Sequence, residues 1–167
     1  LLRFVTHYCA PTFIFLAGTS LALSTRRRLD GGTSQGEITL RIVKRGAVLL
    51  LLAVLVESTA FGLPPLYFGV ISCIGACLII FSVLRRLPPL AILTMSLIVI
   101  LNHPFLSLDW IPADAWWGWY LRVIVHEPSF DWSPYVGLYP IVPWIGVMGL
   151  GWCFGTFLDN YDWSKGG

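Results

Sequence analysis

The feature that most constrains this chain is where its few ionisable residues fall between long apolar runs. Eight of the eleven basic residues sit in two short connections: Arg26, Arg27, Arg28, Arg41, Lys44 and Arg45 in the first, Arg85 and Arg86 in the second. Basic residues flanking membrane spans resist translocation, so these connections, 26–45 and 85–89, are expected on the cytoplasmic side. Composition agrees: 56% of residues are hydrophobic and 12% charged, against about 25% charged in an average soluble domain. The net charge of +2 is spread over two clusters rather than one basic face, so no nucleic-acid partner is implied.

Five apolar segments approach the roughly 17 to 25 residues that cross a hydrocarbon core. They run approximately over 5–25, 46–62, 66–84, 90–108 and 138–158. Backbone groups in lipid must be paired within the segment, so all five are expected to be helices. The fold expected is all-α, a polytopic integral membrane bundle of about five transmembrane helices forming one domain, with lipid as its surroundings. The connection 26–45 reads as a polar loop, Leu63-Pro64-Pro65 as a tight turn, and 109–137 as a long outer loop. The chain begins at Leu1 in an apolar stretch, without a cleavable signal pattern, and reads as a piece of a longer protein.

The outer loop carries Asp109, Asp114, Glu127 and Asp131 with Trp110, Trp116, Trp117, Trp119, Tyr120 and Trp132. Aromatic rings at the headgroup level make an interfacial helix over 113–125 one reading. A lid or a sugar-binding rim is the other, since flat aromatic faces stack on pyranose rings and long ordered loops tend to carry function.

Within this topology Glu57 lies five residues from the outer end of its helix, roughly 7 to 8 Å below the boundary at 1.5 Å per residue. His7 and Asn102-His103 lie about one turn from the outer ends of theirs. Intramembrane ionisable residues are functional suspects, and three helices here offer a carboxylate and two imidazoles to one layer. Each taken singly could be a helix-end residue, or a carboxyl paired with a neighbouring donor. As a set they can move protons: a buried carboxyl has a raised pKa and can orient, or share a proton with, an imidazole.

Cys73 and Cys77 share a helix face at i,i+4 but have no His or acidic residue beside them; with Cys9 and Cys153 they read as small packing residues, and neither a metal site nor a disulfide is expected. Gly151 and Gly155 have the G-x3-G spacing that permits close helix contact.

Motifs spread along the whole chain sharpen this reading. Arg3-Phe-Val-Thr-His7-Tyr-Cys-Ala-Pro11-Thr-Phe-Ile-Phe-Leu-Ala-Gly18-Thr-Ser resembles a segment of bacterial membrane proteins related to the catalytic domain of heparan-α-glucosaminide N-acetyltransferase. In order there follow Lys44-Arg45-Gly46 with Leu55-Val56-Glu57, then Asn102-His103-Pro104, then His126-Glu127-Pro128, then Tyr139-Pro140-Ile-Val-Pro143-Trp144-Ile145-Gly146-Val147-Met148, each similar to a segment of that family.

The resemblance implies a transmembrane acetyltransferase. It would take acetyl from cytoplasmic acetyl-coenzyme A, a co-substrate rather than a permanently bound cofactor, and pass it to an amino or hydroxyl group of an extracytoplasmic sugar. It also implies a bacterial cytoplasmic-membrane location and a further helix, carrying a "D-H-x-R-D"-like motif, ahead of the first one here. Acyl transfer needs a base and oxyanion donors, and an imidazole can serve as base or be transiently acetylated. His7 and His103 are then the candidates for proton transfer, with Glu57 orienting one of them. Asn102, His126, Tyr139 and Trp144 are the candidates for holding the acceptor or oxyanion. The phosphates of coenzyme A call for basic residues, and Arg26, Arg27, Arg28, Lys44 and Arg45 fit by charge, although the same residues set topology in any membrane protein. Alternatives are an O-acyltransferase of cell-envelope polysaccharide and a non-catalytic permease or flippase that relays protons. The acceptor sugar and the oligomeric state, a homo-oligomer included, stay open.

Overall fold

The computed structural model describes the backbone of residues 2–60, 68–105, 117–118 and 139–161, and the side chains of these except at 2–8, 57, 58 and 60. The described residues form helices and no β-strand: α1 (Leu2–Asp30), α2 (Gln35–Ala60), α3 (Val70–Leu84), α4 (Pro89–Asn102) with a 3-10 turn over His103–Phe105, and α5 (Ile141–Asn160).

The 26–45 segment differs from the polar loop that its charge suggests, because both flanking helices run into it. α1 has 29 residues and α2 has 26; at 1.5 Å per residue they are roughly 43 and 39 Å long, more than the ~30 Å of a hydrocarbon core. Arginine is a good helix former, and Arg27 and Arg28 in the last turn of α1 complement the helix dipole. The helix stops where Gly32 takes φ +78°, a conformation that L side chains rarely adopt. The Gly32 and Thr33 amides donate to the carbonyls of Leu29 and Arg28, both at 2.9 Å, which is the Schellman closure of a helix. Ser34 then caps α2, its Oγ accepting the Glu37 amide at 3.3 Å, in a Ser-x-x-Glu arrangement that marks a helix start. The connection shrinks to residues 31–34.

Prolines set the other boundaries. Pro88 and Pro140 are the N-caps of α4 and α5, both in extended conformation, where a missing N–H costs nothing. Pro11 lies inside α1 and cannot donate to the carbonyl four residues earlier, that of His7.

α5 is the centre of the assembly, packing on α1, α4 and α3, while α2 packs mainly on α3. Glycine permits the closest approaches. A Cβ on Gly151 would fall on the Phe15 carbonyl, one on Gly18 would fall on the Met148 carbonyl, and one on Gly155 would lie 2.7 Å from the Thr19 carbonyl. The G-x3-G spacing therefore does what its sequence suggests and seats α1 backbone-to-backbone on α5. Thr19 adds a hydroxyl across the seam, with Oγ1 at 3.0 Å from the Gly151 carbonyl and 3.1 Å from that of Phe15. A second seam faces Gly46 of α2 with Gly75 of α3, and Gly149 of α5 admits the Ser96 side chain of α4. Around these contacts Ile14, Cys73, Cys77, Phe81, Met148 and Trp152 form the core, with the Phe81 and Trp152 rings 6.0 Å apart. Cys73 and Cys77 are thus packing residues.

Among the described residues one helix, Ile141–Asn160, is long and apolar enough to cross a membrane; Val70–Leu84 and Pro89–Phe105 are apolar but shorter. Five spans are therefore more than length and hydropathy alone give. In α2 the apolar run is bounded by Lys44, Arg45 and Glu57, and in α1 it is diluted by Thr12, Thr19 and Ser20.

Candidate functional site

The packing fixes which residues share an end of the bundle. Phe15 meets Gly151, Ala22 meets Gly155 and Arg26 meets Asp159, so α1 and α5 run parallel. Ile100 opposes Gly146 and Ile92 opposes Gly149, so α4 runs antiparallel to them. Gly46 opposes Gly75 while Gln35 and Thr39 meet Arg85, so α2 and α3 are antiparallel as well. The C-terminal ends of α1, α3 and α5 and the N-terminal ends of α2 and α4 consequently lie together. This is the basic end.

The opposite end collects the N-terminal part of α1, the last turn of α2, the C-terminus of α4 and the N-terminus of α5. His7, Glu57, Asn102, His103, Tyr139 and Trp144 all have their backbone positions there. The side chains of His7 and Glu57, and all of His126 and of the 109–116 and 119–137 stretches, lie outside the described residues. His103 is the C-cap of α4, half-buried, with its Nε2 shielded from solvent. Asn102 Nδ2 donates to Ile98 O on its own helix at 2.8 Å. One amide N–H is thus already spent. Tyr139 and Trp144 come together, with ring centroids 5.6 Å apart and planes tilted by 51°, both half-buried against the core. This tilted pair has the spacing of a favourable aromatic contact.

At the basic end the five cations named from the sequence do not act alike. Arg26 is engaged by carboxylates, its Nε lying 3.5 Å from Asp30 and 3.4 Å from Asp159, so it ties α1 to α5 before it can meet a phosphate. Arg27 and Arg28 border an open groove of about 630 Å³ along α1, with Thr19, Ser20 and Ser24. Arg28 also faces Arg41 and Arg45 of α2 across a small cleft over Ile38 and Ile42. Lys44 is exposed.

Sequence reasoning missed Arg85, treating it only as part of a topology signal. It is 6% exposed. Its guanidinium crosses from α3 to α2, donating from Nη1 to Gln35 Oε1 at 2.6 Å, and from Nη2 to Gln35 O at 3.0 Å and Thr39 Oγ1 at 2.9 Å. Arg86 Nη2 reaches the same Thr39 hydroxyl at 3.1 Å. Burial first, and the Arg86 charge second, hold Arg85 below the ordinary guanidinium pKa. The available signal was the Gln35/Thr39 pair, whose i,i+4 spacing puts two acceptors on one helix face.

A family model described as heparan-alpha-glucosaminide N-acetyltransferase, catalytic, matches residues 1–166. No curated protein and no solved structure matches the chain.

Proposed function

Because the chain belongs to the heparan-alpha-glucosaminide N-acetyltransferase catalytic family, we propose that it is a membrane-embedded acetyltransferase that uses acetyl-coenzyme A at its basic end and a sugar acceptor at the opposite end. The family match over residues 1–166 carries the reading. The separation of cations from imidazoles, carboxylate and aromatics along the helix axes supports the two-ended division of labour. In this reading the basic end is cytoplasmic, as the distribution of Arg and Lys favours.

The polytopic arrangement is supported by what the helices expose. Along α2, Val48, Leu51, Leu52, Val54, Leu55 and Val56 are exposed, as are Leu90, Leu97, Ile98 and Leu101 on α4 and Phe154 and Phe157 on α5. Apolar surface of this extent marks a contact with lipid or protein rather than water. The shorter α3 and α4 fit a bilayer by local thinning or by packing among longer neighbours.

The chemistry proposed is attack by an acceptor amine or hydroxyl on the thioester carbonyl, with collapse of the tetrahedral oxyanion releasing coenzyme A thiolate. His103 or His7 removes the acceptor proton, and Glu57 orients the imidazole and holds the imidazolium that forms. Tyr139 and Trp144 offer an aromatic wall to a pyranose ring, and the remaining amide N–H of Asn102 is a hydrogen-bond donor near it. An acetylated imidazole would let the acetyl group pass from donor to acceptor in two easier steps.

The test is vectorial transfer. Isotope-labelled acetyl-coenzyme A is supplied to the basic side of oriented proteoliposomes, with an oligosaccharide ending in glucosamine enclosed on the other. Label should appear on the enclosed sugar and depend on the protein. Folded, correctly oriented protein that transfers no label to either an amine or a hydroxyl acceptor would remove the reading.

A further inference from the structure

A cavity of about 170 Å³ opens at the basic end between α1, α5 and the α3–α4 turn, its wall including Thr25, Arg26, Gln35, Arg85, Trp152 and Asp159. We propose that this cavity binds a phosphate group, with Arg85 as its counter-charge and the Thr25 hydroxyl as a second donor.

Two buried groups in the wall have polar atoms that the described protein does not satisfy. Arg85 is 6% and Thr25 5% exposed, and Arg85 Nε and Thr25 Oγ1 are buried without a hydrogen-bond partner among the described residues. Both atoms are closed to a water-sized sphere in the empty cavity, and Thr25 also borders the Arg28–Arg41–Arg45 cleft, so a phosphate oxygen meets them only once these side chains turn toward it. Thr25 differs from four other described helical threonines. Thr19, Thr39, Thr94 and Thr156 each donate back to the carbonyl four residues earlier, the usual way a helical threonine satisfies its hydroxyl. Thr25 leaves the Leu21 carbonyl to Ser24, whose Oγ donates to it at 3.1 Å.

Charge makes the same point. Arg26 has Asp30 and Asp159 within ion-pair distance, whereas Arg85 has only the neutral acceptors of Gln35 and Thr39 among the described residues. Arginine stays protonated in proteins, and a buried cation without a counter-ion is costly. Arg86 adds a like charge beside it. Asp159 does not supply the missing charge, because its carboxylate is turned to Arg26. A volume of about 170 Å³ has room for about five waters at ≈ 30 Å³ each, and a tetrahedral oxyanion is of that order. Arginine with a hydroxyl is a donor set suited to phosphate oxygens.

The affinity for phosphate follows from this geometry alone; only the assignment of that phosphate to coenzyme A rests on the acetyltransferase reading. A lipid headgroup supplies the same chemistry, so the experiment separates the two sources. The full chain is placed in phosphatidylcholine nanodiscs, and its thermal unfolding is followed with inorganic phosphate, coenzyme A or 3′-dephospho-coenzyme A added, and separately with phosphatidylglycerol in the disc. The variants are Arg85→Gln, Arg85→Lys and Thr25→Val.

Losing a hydrogen bond to a charged group should weaken binding about tenfold or more. Arg85→Gln should therefore nearly abolish the stabilisation by phosphate, and Arg85→Lys should keep part of it. Thr25→Val guards against a folding defect in the Arg85 variants and separates binding from packing. It removes an unsatisfied hydroxyl, so the unliganded protein should unfold at the same or a higher temperature while its apparent affinity for phosphate falls about tenfold. If coenzyme A responds to the variants, the phosphate is the donor's, and the loss of sensitivity in 3′-dephospho-coenzyme A identifies the 3′ group. If only phosphatidylglycerol responds, the site stands with a lipid headgroup in it. If no probe distinguishes folded variants from the parent, the proposal is overturned even where acetyl transfer is intact. A protein whose phosphate binding depends on Arg85 but which transfers no acetyl keeps the site and loses the reading.

Discussion

At the basic end polar side chains reach from helix to helix: Arg85 of the α3 C-cap holds Gln35 and Thr39 of α2, and Arg26 of α1 meets Asp159 of α5. At the opposite end Asn102 turns its amide onto its own helix, and Tyr139 makes a tilted ring contact with Trp144 five residues further along the same segment. The first arrangement fixes interhelical geometry through directional bonds. In the second, the described contacts of Asn102, Tyr139 and Trp144 stay within one segment, above the glycine seam that packs α1 on α5. Sites built on rigid elements keep their geometry only as well as their supporting contacts do. By the contacts of Asn102, Tyr139 and Trp144 alone, the proposed catalytic end inherits its geometry from the packing below, whereas the basic end is tied across helices by Arg85 and Arg26.

The largest expected effect tests whether the opposite end works as one unit. His103→Ala should lower acetyl transfer by roughly 10²-fold or more, the scale of a lost general base, and Glu57→Gln should lower it less. If the two residues share a network, the double variant should lose little more than His103→Ala alone, because groups acting together are strongly non-additive. Rates measured on folded single and double variants check this. Losses that multiply would mean two independent helix-end residues, and the comparison between the ends would lose its chemical side.

Next in size is the seam. Gly151→Ala puts a Cβ on the Phe15 carbonyl, a backbone atom that cannot swing aside, and overpacking of this kind costs about 1–3 kcal/mol. Gly36→Ala is the control, since it meets nothing within 4 Å and should be neutral or slightly stabilising. Unfolding in detergent measures both. The Gly151→Ala protein should lose acetyl transfer, because α1 carries His7 into the opposite end, and part of its phosphate affinity as well, because Thr25 of α1 and Trp152 of α5 line the cavity. Phosphate affinity retained in full would show that Arg85, held from α2, carries the basic site without the α1–α5 seam.

How much of this was legible follows the same division. The apolar runs and the Pro88-Pro89 break located the start of α4, both ends of α5 and the end of α3 to within a few residues, whereas α1 ends at Asp30 rather than 25 and α2 starts at Gln35 rather than 46. Gly151/Gly155 gave a close helix contact, because periodicity and backbone sterics are local properties. The 26–45 segment was misread as loop because its charges suggest solvent, while Ser34 to Glu37 held a capping pattern and arginine continues a helix readily. That backbone positions of His7, Glu57, His103 and Tyr139 share an end follows from alternation alone. Which of Arg85 and Arg86 turns inward does not, since it is decided by the angle of the α3 C-cap against α2. Nor could spacing show that Arg26 is already claimed by Asp159, 133 positions along the chain, since a contact of that range exists only once α1 and α5 are packed.

The smallest effect concerns what holds the seam. Thr19→Val keeps the shape of a buried side chain but removes the hydroxyl that lies 3.0 Å from Gly151 O and 3.1 Å from Phe15 O. Both carbonyls belong to helix interiors and have backbone partners available, so neither is orphaned by the change. The expected loss is about 0.6 kcal/mol, the average found for hydrogen bonds between membrane helices, and Thr19→Ser should recover most of it. Unfolding of the three proteins in the same detergent compares them directly. A loss near 2 kcal/mol would mean that the seam is held by a directional bond, as the basic end is. No loss in Thr19→Val would leave backbone contact at Gly18, Gly151 and Gly155 as the whole of what aligns the opposite end, and would make those glycines the positions from which its chemistry can be altered at a distance.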